Sequence, residues 1–96
     1  MKRNNAMALL RTIKPILAQQ FGVTQLALFG STVRDEARDN SDFDILVSFD
    51  GPATSARYIG VQFYLEDRLG CPVDLVTEKA LRPELHPYIE KEAIHV

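Results

Sequence analysis

Two aspartates separated by a single residue are the most unusual local feature of this 96-residue chain. Asp42 and Asp44 stand at the start of an otherwise apolar stretch. In a β-strand, residues two apart lie on one face about 7 Å from each other, so their carboxylates can converge on a hard cation. Mg²⁺ prefers such oxygen ligands. The alternative is that both aspartates lie at a solvent-exposed strand start and bind nothing.

A glycine and a serine precede this pair and could bind phosphate. Gly30 and Ser31 lie between a predicted strand and a predicted helix start, with ten residues between Ser31 and Asp42. Glycine lets the backbone approach a ligand closely, and a helix N-terminus offers free N–H groups to a phosphate. The Ser31 hydroxyl could donate a further hydrogen bond. Taken alone, the same two residues also fit a simple turn with a helix N-cap.

A third carboxylate lies in the middle of another short apolar stretch. Asp74 stands between Val73 and Leu75, whose side chains point to the opposite face of a strand. If the two aspartate-bearing strands are neighbours, Asp74 completes a triad with Asp42 and Asp44. Three carboxylates together with phosphate oxygens can form a two-metal site for phosphoryl or nucleotidyl transfer.

Three strands are predicted to position these residues. They cover residues 25–29, 42–49 and 72–77. In the second strand, alternation places Phe43, Ile45, Val47 and Phe49 on one face and both aspartates on the other. Residues 50–52 are predicted to form a turn.

Helices are predicted before, between and after the strands. The first ends at Gly22, and Pro15 is expected either to kink it or to divide it into two short helices, because proline removes a backbone donor. A short helix follows Ser31 and reaches about residue 37. Another covers about 53–69 and ends at Gly70, and its candidate buried residues include Ile59, Phe63 and Leu69. The last starts at Pro83 and ends in residues 94–96.

The element order predicts one α/β (α+β) domain covering residues 1–96, with helices packed on a small mixed sheet of three or four strands. A net charge of −2 argues against a nucleic-acid binder that works through bulk positive charge. A single cysteine, Cys71, excludes an internal disulfide. The sequence has no apolar segment of membrane-spanning length and no signal-peptide core, so we expect a cytoplasmic protein.

The combination of motifs resembles a known family. The string Leu28-Phe29-Gly30-Ser31, ten residues, then Asp42-Phe43-Asp44, is similar to the G-S-x10-D-x-D signature of the minimal nucleotidyltransferases. These are the smallest members of the DNA polymerase β-like nucleotidyltransferase superfamily. The resemblance covers most of the chain and also includes residues 21–23, 72–77, 79–83 and 92–96. It implies a polymerase β-like nucleotidyltransferase core.

The resemblance also implies an activity and a partner. Members of this family resemble antitoxins that are paired with a HEPN-domain ribonuclease toxin and transfer AMP from ATP to a toxin tyrosine. By position, Asp42 and Asp44 would bind Mg²⁺, and Asp74 would be the third carboxylate and a candidate general base. We accordingly expect complexes with the toxin, and no direct binding of nucleic acid or membrane.

The resemblance assigns the triphosphate to Gly30 and Ser31. Arg34 matches a family arginine and could neutralise phosphate charge, although a solvated helix arginine is an equal alternative. The family commonly has Ala-Arg-Gly here, whereas this chain has Val33-Arg34-Asp35. Asp35 therefore adds negative charge near the expected triphosphate.

The sequence also bears on three other functions. A non-catalytic antitoxin would have the same fold and neutralise its toxin by contact alone. A phosphatase of the haloacid dehalogenase type also uses an Asp-x-Asp string, but it requires Thr or Val at the position that Leu46 occupies here. A P-loop kinase is excluded because the chain has no phosphate-binding G-x-x-x-x-G-K-[ST] string.

Overall fold

The computed structural model describes residues 3–30 and 43–96. Its elements in chain order are α1 (Arg3–Phe21), β1 (Val23–Phe29), β2 (Phe43–Phe49), α2 (Ser55–Leu69), β3 (Val73–Thr77), two 3₁₀ turns (Glu78–Ala80 and Pro83–Leu85), α3 (His86–Glu92) and β4 (Ile94–His95). The helix predicted after Ser31 lies outside the described residues.

The four strands form one mixed sheet in the order β3-β2-β1-β4. Strands β2 and β3 are parallel, whereas β1 runs antiparallel to both β2 and β4. Parallel neighbours need a crossover connection, and α2 provides it. The small mixed sheet with packed helices that the sequence predicts is therefore confirmed.

The main core lies between one face of the sheet and helices α1 and α2. Strand β2 contributes Phe43, Ile45 and Val47 to it, as the alternation predicts. Phe49 packs against the same core and is partly buried. The helices contribute one apolar face each, with Leu10 and Leu17 of α1 among the fully buried side chains.

A β-bulge at the start of β1 changes which residues face this core. The pairing of β1 with β2 shifts between Val23 and Gln25, and the two residues 24 and 25 are both exposed. An extra residue in one strand reverses the inward–outward alternation beyond it. As a result, Val23 and Leu26 are both buried in the same core although they are three residues apart.

A smaller apolar cluster covers the middle of the other sheet face. Ala27, Phe29 and Leu46 are its buried members. Partly buried residues of β3 and of the C-terminal segment pack against it, namely Val76, Leu81, Ile89 and Ala93. This cluster separates the two ends of that face.

The prediction that the last helix ends in residues 94–96 was wrong. Helix α3 stops at Glu92, and Ile94–His95 form β4, which pairs with Ala27 and Leu28. The Val96 N–H donates to the Leu26 carbonyl at 2.9 Å. The backbone groups of β1 need hydrogen-bond partners on the side away from β2, and β4 supplies them.

The predicted division of α1 into two short helices at Pro15 was wrong, because α1 is a single helix of 19 residues. The alternative of a kink at Pro15 stays a prediction. Pro15 lacks the N–H that would bond to the Arg11 carbonyl, and both residues are exposed. The buried face continues through Ile13 and Leu17 on either side of the proline. Gly22 ends the helix as predicted, at φ +75°, with its N–H donating to Ala18.

The buried face of α2 differs from the prediction. Ile59 and Phe63 are 47% and 66% exposed, whereas Val61, Leu65 and Leu69 form the buried row. Only Leu69 was predicted correctly. The helix begins after the Thr54 N-cap and ends at Gly70, as its predicted stop signal indicates.

Gly60 fixes the distance between α2 and the end of α1. An ideal Cβ at this position would overlap the Phe21 ring, with Cζ at 3.0 Å and Cδ1 at 3.1 Å. Helix propensity alone favours alanine over glycine by about 1 kcal/mol. Because overpacking outweighs this gain, we expect Gly60→Ala to lower the free energy of unfolding by about 1 kcal/mol in urea denaturation.

The control for this prediction removes the ring. In a Phe21→Ala background, Gly60→Ala should instead raise the free energy of unfolding by about 1 kcal/mol, because the overlap is gone and the higher helix propensity of alanine remains. A stabilising effect of Gly60→Ala in the unmodified chain would contradict the proposed overlap.

Candidate functional site

The parallel pairing of β2 and β3 places two of the predicted site aspartates side by side. Asp44 is the register partner of Asp74. Neighbouring strands lie about 4.8 Å apart, so these two residues occupy adjacent positions on one sheet face. Their neighbours Ile45 and Leu75 face the helix-covered core. The condition set by the sequence, that the two strands be neighbours, is therefore met.

The two aspartates lie at the edge of the second apolar cluster and differ in exposure. Asp44 is half-buried and Asp74 is exposed. On its other side, Asp44 pairs with Phe29, the last residue of β1. The end of β1 and the starts of β2 and β3 therefore meet at this corner of the sheet.

Gly30 brings the backbone against the Asp44 carboxylate. Its φ is +66°, a conformation that side-chain-bearing residues rarely adopt. An ideal Cβ at Gly30 would lie 2.5 Å from Asp44 Oδ2 and 3.1 Å from its Cγ. Two separate constraints therefore require glycine here. The group that the Gly30 backbone approaches is the Asp44 carboxylate, and its predicted approach to a phosphate stays a prediction.

Three of the predicted site residues, Ser31, Arg34 and Asp42, lie outside the described residues, and their roles stay predictions. Within residues 3–30 and 43–96, no group of three or more His, Cys, Asp or Glu side chains is arranged to hold a metal ion. Asp44 and Asp74 are two of the three predicted ligands. Their all-oxygen donor set fits Mg²⁺.

Side chains of α2 bond to the backbone of β3 on both sides of Asp74. Glu66 Oε2 accepts a hydrogen bond from the Val73 N–H at 3.0 Å. The Tyr58 hydroxyl donates to the Leu75 carbonyl. Tyr58 also packs against the core. The sequence does not predict the hydrogen bond from Tyr58 to Leu75, because no local pattern shows which backbone group a helix side chain will reach.

Two clefts lie away from the aspartates, near the far ends of β2 and β3. Their volumes are about 230 and 320 Å³, and both are lined by Gln25 and Glu78. Glu78 Oε2 accepts a hydrogen bond from Ser48 Oγ at 2.6 Å. His86 and His95 line the larger cleft. Neither of these two clefts includes Gly30 or an aspartate.

Comparison with known proteins identifies the family. A family model described as "Nucleotidyltransferase domain" matches residues 10–96. The chain belongs to the nucleotidyltransferase domain family. The matched region contains all the site residues predicted from the sequence.

Relatives of this nucleotidyltransferase carry more specific names. It is 37% identical over 89 residues to the protein adenylyltransferase MntA of Thermococcus cleftensis, covering 93% of this chain and 90% of that protein. Its fold matches a solved structure described as a candidate minimal nucleotidyltransferase, with a TM-score of 0.85 and 33% identity over 98% of this chain and 95% of that one.

A more distant match shares the fold. The solved complex of a tri-AMPylated Shewanella oneidensis HEPN toxin with its MNT antitoxin has a TM-score of 0.60 and 22% identity, and the match covers 97% of this chain and 66% of that one. Among the described residues of the nucleotidyltransferase, none of the helices has the length and apolar character needed to cross a membrane.

The contact between Gly30 and Asp44 yields a test of the site. We expect Gly30→Ala to weaken the binding of Mg²⁺-ATP at least about tenfold, measured by isothermal titration calorimetry, because the new methyl group displaces the Asp44 carboxylate. The positive φ adds about 1–2 kcal/mol of strain.

Gly70→Ala is the matched control. Gly70 has a similar φ of +72°, but nothing lies within 4 Å of an ideal Cβ. The Gly70→Ala variant should lose about as much stability as Gly30→Ala but keep the affinity for Mg²⁺-ATP. Equal affinities of the two variants would show that the Gly30 contact plays no part in nucleotide binding.

Proposed function

We propose that this chain is a Mg²⁺-dependent protein adenylyltransferase that moves AMP from ATP to a tyrosine hydroxyl of a HEPN-domain toxin and thereby acts as its antitoxin. The observation that carries the proposal is the in-register pair Asp44 and Asp74 beside the positive-φ residue Gly30. The name of the Thermococcus relative supports AMP transfer to a protein. The AMPylated toxin in the Shewanella complex supports the acceptor class.

In the proposed reaction, the tyrosine oxygen attacks the α-phosphorus of ATP. A bond forms between that oxygen and phosphorus, and the bond from the α-phosphorus to the bridging oxygen of the β-phosphate breaks. Pyrophosphate leaves with the bonding electrons, and the hydroxyl proton passes to Asp74 or to water. Positioning and charge neutralisation account for most of the catalysis of such a transfer.

The residues have separate roles in this proposal. Asp42 and Asp44 hold Mg²⁺, and Asp74 completes the carboxylate set next to the acceptor hydroxyl. Bound Mg²⁺ supplies charge neutralisation at the phosphates and lowers the pKa of the acceptor hydroxyl. Gly30 and Ser31 bind the triphosphate through backbone and hydroxyl donors, and Arg34 adds positive charge.

Location and assembly belong to the same proposal. The substrate ATP and a lone cysteine fit the cytoplasm, where thiols stay reduced. The chain works in a complex with the toxin. Its net charge of −2 supports the expectation that it does not bind nucleic acid itself.

The test is transfer of labelled AMP by aspartate variants. We expect Asp42→Asn and Asp44→Asn each to abolish labelling of the co-purified toxin in the presence of Mg²⁺, because each removes one metal-binding carboxylate. Mass spectrometry of the toxin after incubation with ATP gives the modified residue and the number of AMP groups. Circular dichroism should show an unchanged fold.

The result that would contradict the proposal is full labelling by the Asp42→Asn, Asp44→Asn double variant. Asp50→Asn is a suitable control, since Asp50 is an exposed carboxylate that forms a salt bridge with Arg57 at 2.9 Å. This control should label the toxin at the unmodified rate.

A non-catalytic antitoxin is the second candidate, and the exposed side chains of α2 favour it. Ile59 and Phe63 lie four residues apart on an outward face, and exposed apolar residues often mark a protein-binding surface. If contact alone neutralises the toxin, Ile59→Ser with Phe63→Ser should abolish neutralisation, whereas Asp44→Asn should preserve it. RNase assays of the toxin with and without ATP distinguish the two functions.

A further inference from the structure

The outer edge of β3 is the feature from which we infer a new role. Strand β3 is at the end of the sheet and has β2 on one side only. The Pro72 carbonyl faces β2, since it accepts a hydrogen bond from the Phe43 N–H at 3.1 Å. Successive residues of a strand direct their backbone groups to opposite sides. The groups of Asp74 therefore face β2, whereas those of Val73 and Leu75 face away from the sheet.

A row of side chains on α2 bonds to these outward-facing groups. Glu66 accepts from the Val73 N–H at 3.0 Å, and Gln62 Nε2 donates to the Val73 carbonyl at a longer 3.5 Å. Tyr58 donates to the Leu75 carbonyl. Residues four apart lie on one side of a helix, so the spacing of Tyr58, Gln62 and Glu66 forms one continuous polar row. We call it the α2 row.

Val73 and Leu75, the two neighbours of Asp74, are held by both their side chains and their backbone groups. The side chains of Val73 and Leu75 are each only 4% exposed and belong to the main core. Their outward backbone groups bond to the α2 row. The Asp74 backbone between them bonds to β2 through the parallel pairing. The Cα–Cβ direction of Asp74 is therefore set by contacts that the carboxylate itself does not make.

We propose that the α2 row positions Asp74 for metal binding and catalysis. This proposal rests on the function proposed above. Tyr58, Gln62 and Glu66 touch neither nucleotide nor metal in it and act only through the β3 backbone. A shift of about 1 Å in a reacting group can lower a rate by about a hundredfold, so loss of the row lowers activity even when the fold survives.

The row affects one side of the reaction only. Asp74 belongs to the side of the acceptor hydroxyl, whereas the triphosphate is bound by Gly30 and Ser31. Removal of the hydrogen bond that Glu66 or Tyr58 makes to the β3 backbone therefore lowers kcat about tenfold or more. It leaves the KM for ATP within about twofold of the unmodified value. It also weakens the binding of Mn²⁺, used in place of Mg²⁺, about threefold or more.

The experiment compares four variants of the full chain. Glu66→Ala and Tyr58→Phe each remove one bond of the row. Glu66→Gln keeps an oxygen that can accept from the Val73 N–H, and it should restore both kcat and Mn²⁺ affinity. Val61→Ala, on the same helix, removes buried apolar volume and leaves the row intact. All four are assayed below their melting temperatures, with folding checked by circular dichroism.

Two readouts are measured for each variant. The first is AMP transfer to the toxin, analysed as kcat and KM for ATP. The second is the dissociation constant of Mn²⁺ in the presence of a non-hydrolysable ATP analogue, followed by paramagnetic broadening of the Asp44 and Asp74 amide resonances. The second readout needs no transfer activity, so it tests the row even if the unmodified chain transfers no AMP.

The expected result is a kcat and Mn²⁺ defect in Glu66→Ala and Tyr58→Phe that is absent from Val61→Ala and restored in Glu66→Gln. Equal behaviour of Glu66→Ala and Val61→Ala in both readouts would overturn the positioning role and reduce the row to a structural one. If the unmodified chain transfers no AMP but Glu66→Ala still binds Mn²⁺ more weakly than the unmodified chain, the adenylyltransferase function is rejected and the positioning role is kept.

Discussion

The register between β2 and β3 is the constraint on which the site depends. Because side chains alternate along a strand, a shift of β3 by one residue would move Asp74 to the helix-covered face and bring Val73 or Leu75 beside Asp44. Burial of those two apolar residues opposes such a shift. The same register places the two carboxylates of Asp44 and Asp74 next to each other, which is unfavourable. Like charges on neighbouring strands repel, and a bound cation would remove this repulsion.

The two faces of the sheet serve different purposes. One face is covered by α1 and α2 and contains most of the buried side chains. Among residues 3–30 and 43–96, the cluster around Leu46 covers the middle of the other face. The aspartates lie at one end of this face, and clefts near Glu78 lie at the other. An acceptor tyrosine could reach Asp74 without any rearrangement of the main core, because that side chain is already exposed.

Local patterns predict most of the strands and the position of the aspartates, because period-2 alternation and glycine stops are short-range signals. These patterns do not predict features that depend on tertiary contacts. Helix α2 has apolar residues on two sides, and the sequence favoured Ile59 and Phe63, whereas packing on the sheet buries Val61 and Leu65. Similarly, Ile94–His95 is too short to be recognised as a strand until β1 offers it partners. The pairing of Asp44 with Asp74 could be stated only as a condition, since strand order is not a local property.

The β1 bulge has a consequence for insertions and deletions in related sequences. Near residues 24 and 25, one added or lost residue can be absorbed, because the pairing is already irregular and both side chains are exposed. Between Leu26 and Phe29 the ladder is regular, so a single deletion would put a different residue opposite Asp44 and remove Gly30 from its carboxylate. Within this segment, alignments of relatives should therefore place gaps before Leu26, and a gap between Leu26 and Gly30 would indicate loss of the site.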